Sequence, residues 1–334
     1  MRDLFICLIL FRGRNYKVIS SKNITIIFIK LSGLKQLINF SVLELLKKSK
    51  GLKSRLIELN KFDITNIEGS SSEKIKKIIP KVFNTIRKAI SGYKREIKEL
   101  PEKVQSAPKK FWDEVEEQAK NLGIDLIGFA PIDENLMFEE DHVGRIEVLY
   151  ESAIVLGMEM DYEAIDAAPE PPAGVESLNI YAELGEATNK LTNFIRSKGY
   201  RAIACHPLGG PILYPAMAVK AGLGQIGTQG LLITKKFGPR QRLSIIAVNI
   251  DTLPENPPED FDIDKYCKKC RRCVNLCPVN AIYDEPIINE NGTVTRIDGE
   301  KCIKHFYETT GCSICIKECP FHKIGYKAMY YSRL

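Results

Sequence analysis

The stretches CKKCRRCVNLCP, residues 267–278, and GCSICIKECPF, residues 311–321, decide how this 334-residue chain is read. In the first, Cys267, Cys270 and Cys273 follow one another at two-residue gaps, and Cys277 comes three residues later with Pro278 behind it. Such gaps let three thiolates of one tight loop reach three iron corners of a cluster, while the fourth cysteine points away to a second cluster. A second centre is thus implied by the first. The other stretch, Cys312, Cys315 and Cys319 before Pro320, has Thr309 where a leading cysteine is expected, and Cys302, ten residues upstream of Cys312, is free to replace it. The expected ligand sets are Cys267, Cys270, Cys273 and Cys319 for one [4Fe-4S] cluster and Cys277, Cys302, Cys312 and Cys315 for the other. Zinc also accepts four thiolates, but its sites seldom use a triple run closed by Cys-Pro.

Eight of the ten cysteines lie between Cys267 and Cys319. Disulfide frameworks are rarely so localised, so this density reads as metal ligation in a reducing compartment, and the expected location is cytoplasmic. Cys7 and Cys205 stand outside the cluster and read as buried or free thiols. Residues 261–325 are therefore expected to form a small α+β domain of the bacterial ferredoxin type. The Pro- and acid-rich stretch from Pro254 to Asp260 links it to what precedes.

Between residues 108 and 253 helical and strand patterns alternate, which argues for an α/β sheet domain. A helix is expected from Phe111 to Asn121 with Gly123 as its stop, then strands over Ile124 to Ala130 and Ser152 to Met160. Pro169, Pro171 and Pro172 read as a bend before a helix from Ser177 to Lys198. Strands follow over Arg201 to Cys205, Leu231 to Thr234 and Leu243 to Ile250. Residues 1–107 form a mostly helical N-terminal extension, with an amphipathic helix from Glu73 to Ile90 that Pro80 is placed to kink.

The formal charge of +6 conceals an asymmetry, since residues 1–110 carry 25 Lys and Arg against 9 Asp and Glu. A basic arm of this kind meets nucleic acid, anionic lipid or an acidic partner, or is simply a solvated lysine-rich surface, and the second reading is preferred. The apolar runs Leu4 to Phe11 and Ile24 to Leu31 are too short to span a bilayer, no twin-arginine pair accompanies them, and membrane-surface contact is not favoured.

Residues 221–240 read AGLGQIGTQGLLITKKFGPR, in which Gly222, Gly224 and Gly227 satisfy a dinucleotide-type spacing. That fingerprint must follow a strand and open a helix, whereas here a helical stretch, Pro215 to Lys220, precedes and a strand follows. The glycines are instead read as permitting close approach of backbone to a large flat ligand, or as a packed turn.

The succession AGLGQIGTQGLLIT, FGPRQRL, the ferredoxin-type run and GCSICIKECPF resembles the corrinoid-dependent reductases, that is, reductive dehalogenases and epoxyqueuosine reductases. The resemblance covers about residues 110 to 325. It implies a nitroreductase-like α/β domain holding base-off cobalamin beside the two-cluster domain, with electrons passing from the distal cluster to the proximal one and on to cobalt. It also implies cofactor contacts by Gly222, Gly224, Gln225, Gly227, Gly230 and Arg242. No D-x-H-x-x-G match is present: His142 has Glu140 two before it and Arg145 three after, which agrees with a cobalt lacking a histidine ligand.

Both branches are departed from in detail. Where epoxyqueuosine reductases have an acidic proton donor, Pro207 to Pro211 offers Leu208, and Gln225 and Thr228 replace that branch's usual Trp and Lys. SLNIYAELGEATNKLTNFIRSKGYRA, residues 177–202, resembles the dehalogenase helix, with Tyr181 near its proton-donating tyrosine. Arg240 or Arg242 is expected to complete that pair, Tyr214 is a second candidate, and the arginines alternatively grip corrinoid carboxylates or a substrate phosphate. The resulting expectation is a reductase for a small-molecule substrate, fed by a low-potential donor such as ferredoxin or flavodoxin. The alternatives are a non-catalytic ferredoxin-type electron carrier and a tRNA-modifying enzyme of the epoxyqueuosine reductase kind.

Overall fold

The computed structural model describes residues 5–6, 18–21, 24–27, 70–98, 103–137, 150–256, 262–290, 292–309 and 311–331. His142, its neighbours Glu140 and Arg145, and Cys7 lie outside the described residues. In the N-terminal region three short strands, β1 (Phe5–Ile6), β2 (Val18–Ser21) and β3 (Ile24–Ile27), form a small sheet of their own in the order β1-β3-β2. The 27-residue helix α1 (Ser70–Glu96) follows and runs through Pro80 without interruption. Its apolar residues at intervals of three and four, among them Ile75, Ile78 and Val82, are buried.

Helix α2 (Lys109–Asn121) leads into the central sheet, made of β4 (Leu126–Pro131), β5 (Ser152–Glu159), β6 (Ala202–Cys205) and, later in the chain, the strand at Gln241–Val248. Between β5 and β6 come the short α3 (Tyr162–Asp166) and the long α4 (Pro171–Ser197). After β6 the chain forms α5 (Tyr214–Lys220), a two-stranded hairpin of β7 (Gln225–Ile226) and β8 (Leu232–Ile233), and then β9 (Gln241–Val248). The sheet order is β4-β5-β9-β6 and every pairing in it is antiparallel.

Helix α4 begins at Pro171, six residues before the expected start. Pro171 and Pro172 occupy its first turn, where a missing N–H costs nothing and the fixed φ suits the helix, so prolines that read as a bend open the helix instead. Lys198 closes it, with Gly199 beyond at φ 89°.

Period-two alternation sends β5 side chains to both faces of the sheet. Ile154, Leu156 and Met158 join Trp112 and Val115 of α2, Leu184, Leu191 and Ile195 of α4, and Ile246 and Val248 of β9 in one core. Ala153, Val155 and Ile245 face the other way, against Met217 and Ala218 of α5 and Leu232 of β8. Coverage on both faces explains why β5 is almost wholly apolar. Each fully buried aliphatic side chain there contributes about 1.5–3 kcal/mol.

Helix α1 belongs to this domain rather than to a separate arm. Ile78 and Val82 pack with Ala182 of α4, and Thr85 Oγ1 lies 2.8 Å from His206 Nε2. At the helix end Glu96 takes ion pairs from Arg196 Nε at 3.0 Å and Arg201 Nε at 3.2 Å.

The C-terminal domain comprises α6 (Asp264–Cys270), α7 (Arg272–Asn275), the antiparallel pair β10 (Ile282–Ile288) and β11 (Val294–Ile297), α8 (Gly299–Glu308), α9 (Ile314–Lys317), α10 (Pro320–Lys323) and α11 (Gly325–Tyr331). Ile316 joins the main core, with Cys315 packed against it, so this domain is seated on the sheet domain rather than tethered to it. Among the described residues no helix is long and apolar enough to cross a membrane.

Candidate functional site: the cysteine sets and the glycine-rich loop

The two cysteine motifs share one local geometry. Arg271, between Cys270 and Cys273, has φ 52° and ψ 11°, and Ser313, between Cys312 and Cys315, has φ 51° and ψ 11°. Each left-handed residue reverses the chain just before a four-residue helical turn, α7 or α9, and each motif then ends on Cys-Pro. Superposed in register, Thr309 falls where Cys267 stands. Its hydroxyl, however, bonds the carbonyl of His305 at 2.8 Å, at the C-terminal end of α8. Gly311, at φ 105°, lets the second motif press on α4, for a Cβ there would stand 2.6 Å from Gly174 Cα.

The thiols fall into two neighbourhoods. Burial raises Cys273 to about 11, with Cys267 and Cys270 as the charged neighbours that add to the shift. Burial likewise raises Cys319 to about 12, with Cys267 and Cys273 beside it. Cys302 sits on an exposed stretch of α8, yet its sulfur is desolvated and pushed up to about 11, with Cys277 and Cys312 as neighbours. Burial pushes Cys315 up furthest, and Cys302 and Cys312 lead its neighbours. Cys273 and Cys277 are also within its reach, so the two neighbourhoods adjoin through Cys315. Cys273 and Cys319 thus have Cys267 as a common neighbour, and Cys302 and Cys315 have Cys277 and Cys312. Among the described residues no three His, Cys, Asp or Glu side chains converge to hold one metal ion. Desolvated thiols fit a cluster, because iron holds them deprotonated without exposed negative charge.

The glycine-rich segment lies against the first set. Gly222 follows α5, Gly224 and Gln225 enter the hairpin, and Gly227 to Gly230 form its turn, with no helix opening after them. Gly224, at φ 156°, packs its Cα against the carbonyl of Ile233, leaving no room for a side chain. Gln225 Oε1 accepts the N–H of Ile263 at 3.0 Å, at the entrance of the C-terminal domain. Ile233, in the second strand of the hairpin, shares a buried cluster with Ile263 and Cys319, and Cys267 packs against it. Gly230 approaches Arg296 and Ile297 of β11. In the same turn Gln229 is buried and its Nε2 has no partner.

Arg240 and Arg242 do different things. Arg240, just ahead of β9, pairs with Glu159, donates from Nε to the carbonyl of Met160 at 2.9 Å, and donates from Nη1 to His322 Nδ1 at 3.3 Å. Its guanidinium also lies over Tyr162, whose ring stacks on His322 at 4.5 Å. These contacts clamp the sheet domain to the segment after Cys319. Arg242, opposite Met158 on the α4 face of the sheet, places its guanidinium 4.8 Å from the centre of the Tyr181 ring and donates to Ser177 Oγ at 2.8 Å, while its Nε is buried without a partner. Of the two arginines expected beside Tyr181, the structure brings Arg242 there. Tyr181 is half-buried and packs on Ile78 and Val82 of α1. Tyr214, the second candidate, spends its hydroxyl on the carbonyl of His206 at 2.9 Å.

His322 is a participant that motif reading does not single out, since it registers in the sequence only as part of the CPFHK tail.

Residues 266–323 match the family model of a 4Fe-4S dicluster domain. The tetrachloroethene reductive dehalogenase of Desulfitobacterium hafniense is 33% identical over 215 residues, which make up 60% of this chain and 37% of that protein. The same enzyme of Sulfurospirillum multivorans is 34% identical over 183 residues, 52% of this chain and 36% of that protein. An epoxyqueuosine reductase of Lactococcus garvieae is 28% identical over 130 residues, 34% of this chain and 33% of that one. In fold the chain is similar to a solved catabolic reductive dehalogenase, with a TM-score of 0.62 at 21% identity over 79% of this chain and 40% of the other. The homologues of this chain are thus reductive dehalogenases and epoxyqueuosine reductases, and its C-terminal domain is of the 4Fe-4S dicluster kind. The chain spans about a third of the length of these curated relatives.

Proposed function

We propose that the chain is the core of an iron–sulfur reductase in which two [4Fe-4S] clusters deliver electrons to a corrinoid for the reductive cleavage of a small-molecule bond. The observation that carries this reading is the packing of the glycine-rich hairpin on the cysteine domain: Gln225 accepts the N–H of Ile263 at 3.0 Å, and Ile233 shares a buried cluster with Ile263 and Cys319, against which Cys267 packs. Cys267, Cys270, Cys273 and Cys319 hold the cluster beside the loop, and Cys277, Cys302, Cys312 and Cys315 hold the outer one. The relatives are reductases, and a solved reductive dehalogenase of similar fold, with a TM-score of 0.61, is one of B12-dependent dehalogenation.

A bound corrinoid supplies a cobalt centre that accepts electrons singly and spends two on a carbon–halogen or carbon–oxygen bond. For a tetrapyrrole edged with amide groups, the buried and unpartnered Gln229 Nε2 and Arg242 Nε are fitting donors. Gly222, Gly224, Gln225, Gly227 and Gly230 shape the loop that carries one of them. Tyr181 supplies the proton, and Arg242 positions its ring. Arg240 holds the two domains in register. The electrons come from a low-potential donor of the ferredoxin or flavodoxin class, and the substrate is a small molecule.

Anaerobic reconstitution with iron, sulfide and hydroxocobalamin tests this. About eight irons and about one cobalamin per chain are expected, with the absorption spectrum of a base-off corrinoid. Iron uptake without any tetrapyrrole would return the chain to the class of electron carriers.

A further inference from the structure

We propose that the buried hydroxyl of Ser313 donates to a sulfur of the cluster held by Cys277, Cys302, Cys312 and Cys315 and raises the reduction potential of that cluster. The inference rests on reading those cysteines as cluster ligands. Ser313 stands between Cys312 and Cys315 and is 6% exposed, and its Oγ is shut off from solvent without a hydrogen-bond partner. Among the described residues it is the one buried hydroxyl in that state. Thr85, Ser177, Thr188 and Thr192 are buried too, and each gives its proton to a backbone carbonyl. A buried hydroxyl that bonds nothing costs about 1–3 kcal/mol, so a turn that keeps one points to an acceptor brought by a ligand.

Two ordinary explanations for a serine at this place fail. A serine ahead of a helix caps it by accepting an N–H of the first turn, from an extended backbone. Ser313 is instead left-handed, at φ 51° and ψ 11°, and its side chain makes no capping bond. The N–H groups of Ile316 and Lys317 go to its carbonyl, both at 3.0 Å. The backbone does not select serine either, since glycine reaches a positive φ without steric strain. In the first motif the matching residue, Arg271, pairs outward with the exposed Asp284, so that position supplies no buried donor. The turn around Ser313 is also fixed. Ile316 lies in the main core with Cys315 packed against it, and Gly311 presses on Gly174 of α4. With ligands on either side of it, the acceptor that a cluster brings to this enclosed hydroxyl is a sulfur.

Reduction adds one electron and one negative charge to a cluster, and donors to its sulfurs stabilise that state more than the oxidised one. The proton stays on Oγ throughout. Removing the hydroxyl therefore lowers the potential of this cluster and leaves the other alone. The test is an EPR-monitored titration with dithionite of the reconstituted full chain as wild type, Ser313→Ala and Ser313→Gly, with iron and corrinoid content measured on each sample. Alanine removes the hydroxyl and keeps the strained backbone, whereas glycine removes both, so a change shared by the two belongs to the hydroxyl. Cys302→Ala, expected to lack the outer cluster, identifies which midpoint belongs to it. The expected result is that this midpoint falls in both variants by about a tenfold change in the reduction equilibrium, about 59 mV for one electron, while the other stays in place. Pulsed EPR in H2O and D2O should show an exchangeable proton coupled to that cluster in the wild type and missing from both variants. Two unmoved midpoints, a shift of the other midpoint, a shift with alanine that glycine lacks, or exchangeable couplings alike in all three proteins would each overturn the role of Ser313. So would iron falling to about four per chain in both variants, since the hydroxyl would then serve assembly rather than potential. Absence of cluster signals from the wild type would overturn the cluster reading and this inference with it. Clusters without corrinoid would remove only the corrinoid part of the proposed function, and a shifted midpoint would still uphold Ser313.

Discussion

The guanidinium of Arg242 lies 4.8 Å from the centre of the Tyr181 ring, and the same group bonds Ser177 on the helix that carries Tyr181. Helix α4 and strand β9 therefore hold the two residues together, one turn of helix away from the hydrogen-bonded serine. If Tyr181 is the proton donor, Tyr181→Phe lowers turnover about a hundredfold, within the usual range for a general acid. Iron and corrinoid content stay unchanged. Arg242→Met, which releases the ring, lowers turnover in the same direction. A panel of chlorinated alkenes with reduced methyl viologen as electron source measures both, and full turnover in Tyr181→Phe would assign the proton to another group.

Cys302 is the proposed ligand that breaks the symmetry of the two motifs. Its sulfur neighbours Cys277 and Cys312, whereas Thr309, in the symmetric position, is engaged with His305 at the end of α8. Cys302→Ala is expected to reduce iron from about eight to about four per chain. Adding Thr309→Cys to that variant should not restore the loss, because the side chain at position 309 is directed back along its own helix. Iron and sulfide assays with EPR of the reduced protein check both outcomes. Recovery of about eight irons in the double variant would show that position 309 does reach the second cluster.

Ligand spacing is dictated by the dimensions of a cluster, so the dicluster character of the C-terminal domain can be read directly from its cysteine motifs, and Cys302 is the expected replacement for the thiol missing from the repeat. The matching left-handed turns at Arg271 and Ser313 leave no such trace, since neither residue type announces a positive φ. Prolines 171 and 172 read as a bend because a sequence shows a helix breaker without showing whether it falls before the helix or in its first turn. The choice between Arg240 and Arg242 depends on which way each points from the end of a strand. That is set by the pairing of β9 with β5, where Met158 faces Arg242, and pairing across 84 residues has no local signature. The antiparallel course of the whole sheet is hidden for the same reason. The alternation of helices and strands is visible, but strand direction is decided by non-local pairing.

Glu96 ties α1 to the sheet domain from a nearly buried position. Arg196 and Arg201 pair with it, and the hydroxyl of Tyr150 donates to it at 2.8 Å. Burial, with Glu96 beside it, raises that phenol to about 12, so it stays a donor throughout the physiological range. Glu96→Ala leaves two guanidinium groups facing each other without their anion. Breaking a buried pair in this way costs about 3–5 kcal/mol. Denaturant unfolding of wild type and variant at equal cofactor content measures the loss, and a cost below about 1 kcal/mol would make α1 peripheral to the fold.

His206 makes the same junction sensitive to acid. The N–H of Leu208 donates to Nδ1 at 3.1 Å, which leaves Nε2 as the N–H that meets Thr85 Oγ1. The threonine in turn donates to the carbonyl of Val82, so α1 and the loop after β6 are joined through a neutral imidazole. Burial lowers the pKa of His206 to about 3. The unfolded chain protonates this residue near 6.5, and the folded one does not until about 3. Its contribution to stability is therefore fully present above pH 6.5 and is lost as pH falls toward 3, by about 2 kcal/mol between pH 7 and pH 5. His206→Gln keeps one acceptor and one donor but does not titrate. His322, lowered to about 4 chiefly by burial, adds a slope of the same sign to both proteins, so it cancels in the comparison. Unfolding free energies of the two proteins at pH 7 and pH 5 should thus differ in slope by that amount, with wild type the steeper. Equal slopes would mean that His206 is hydrated or already charged in the folded protein.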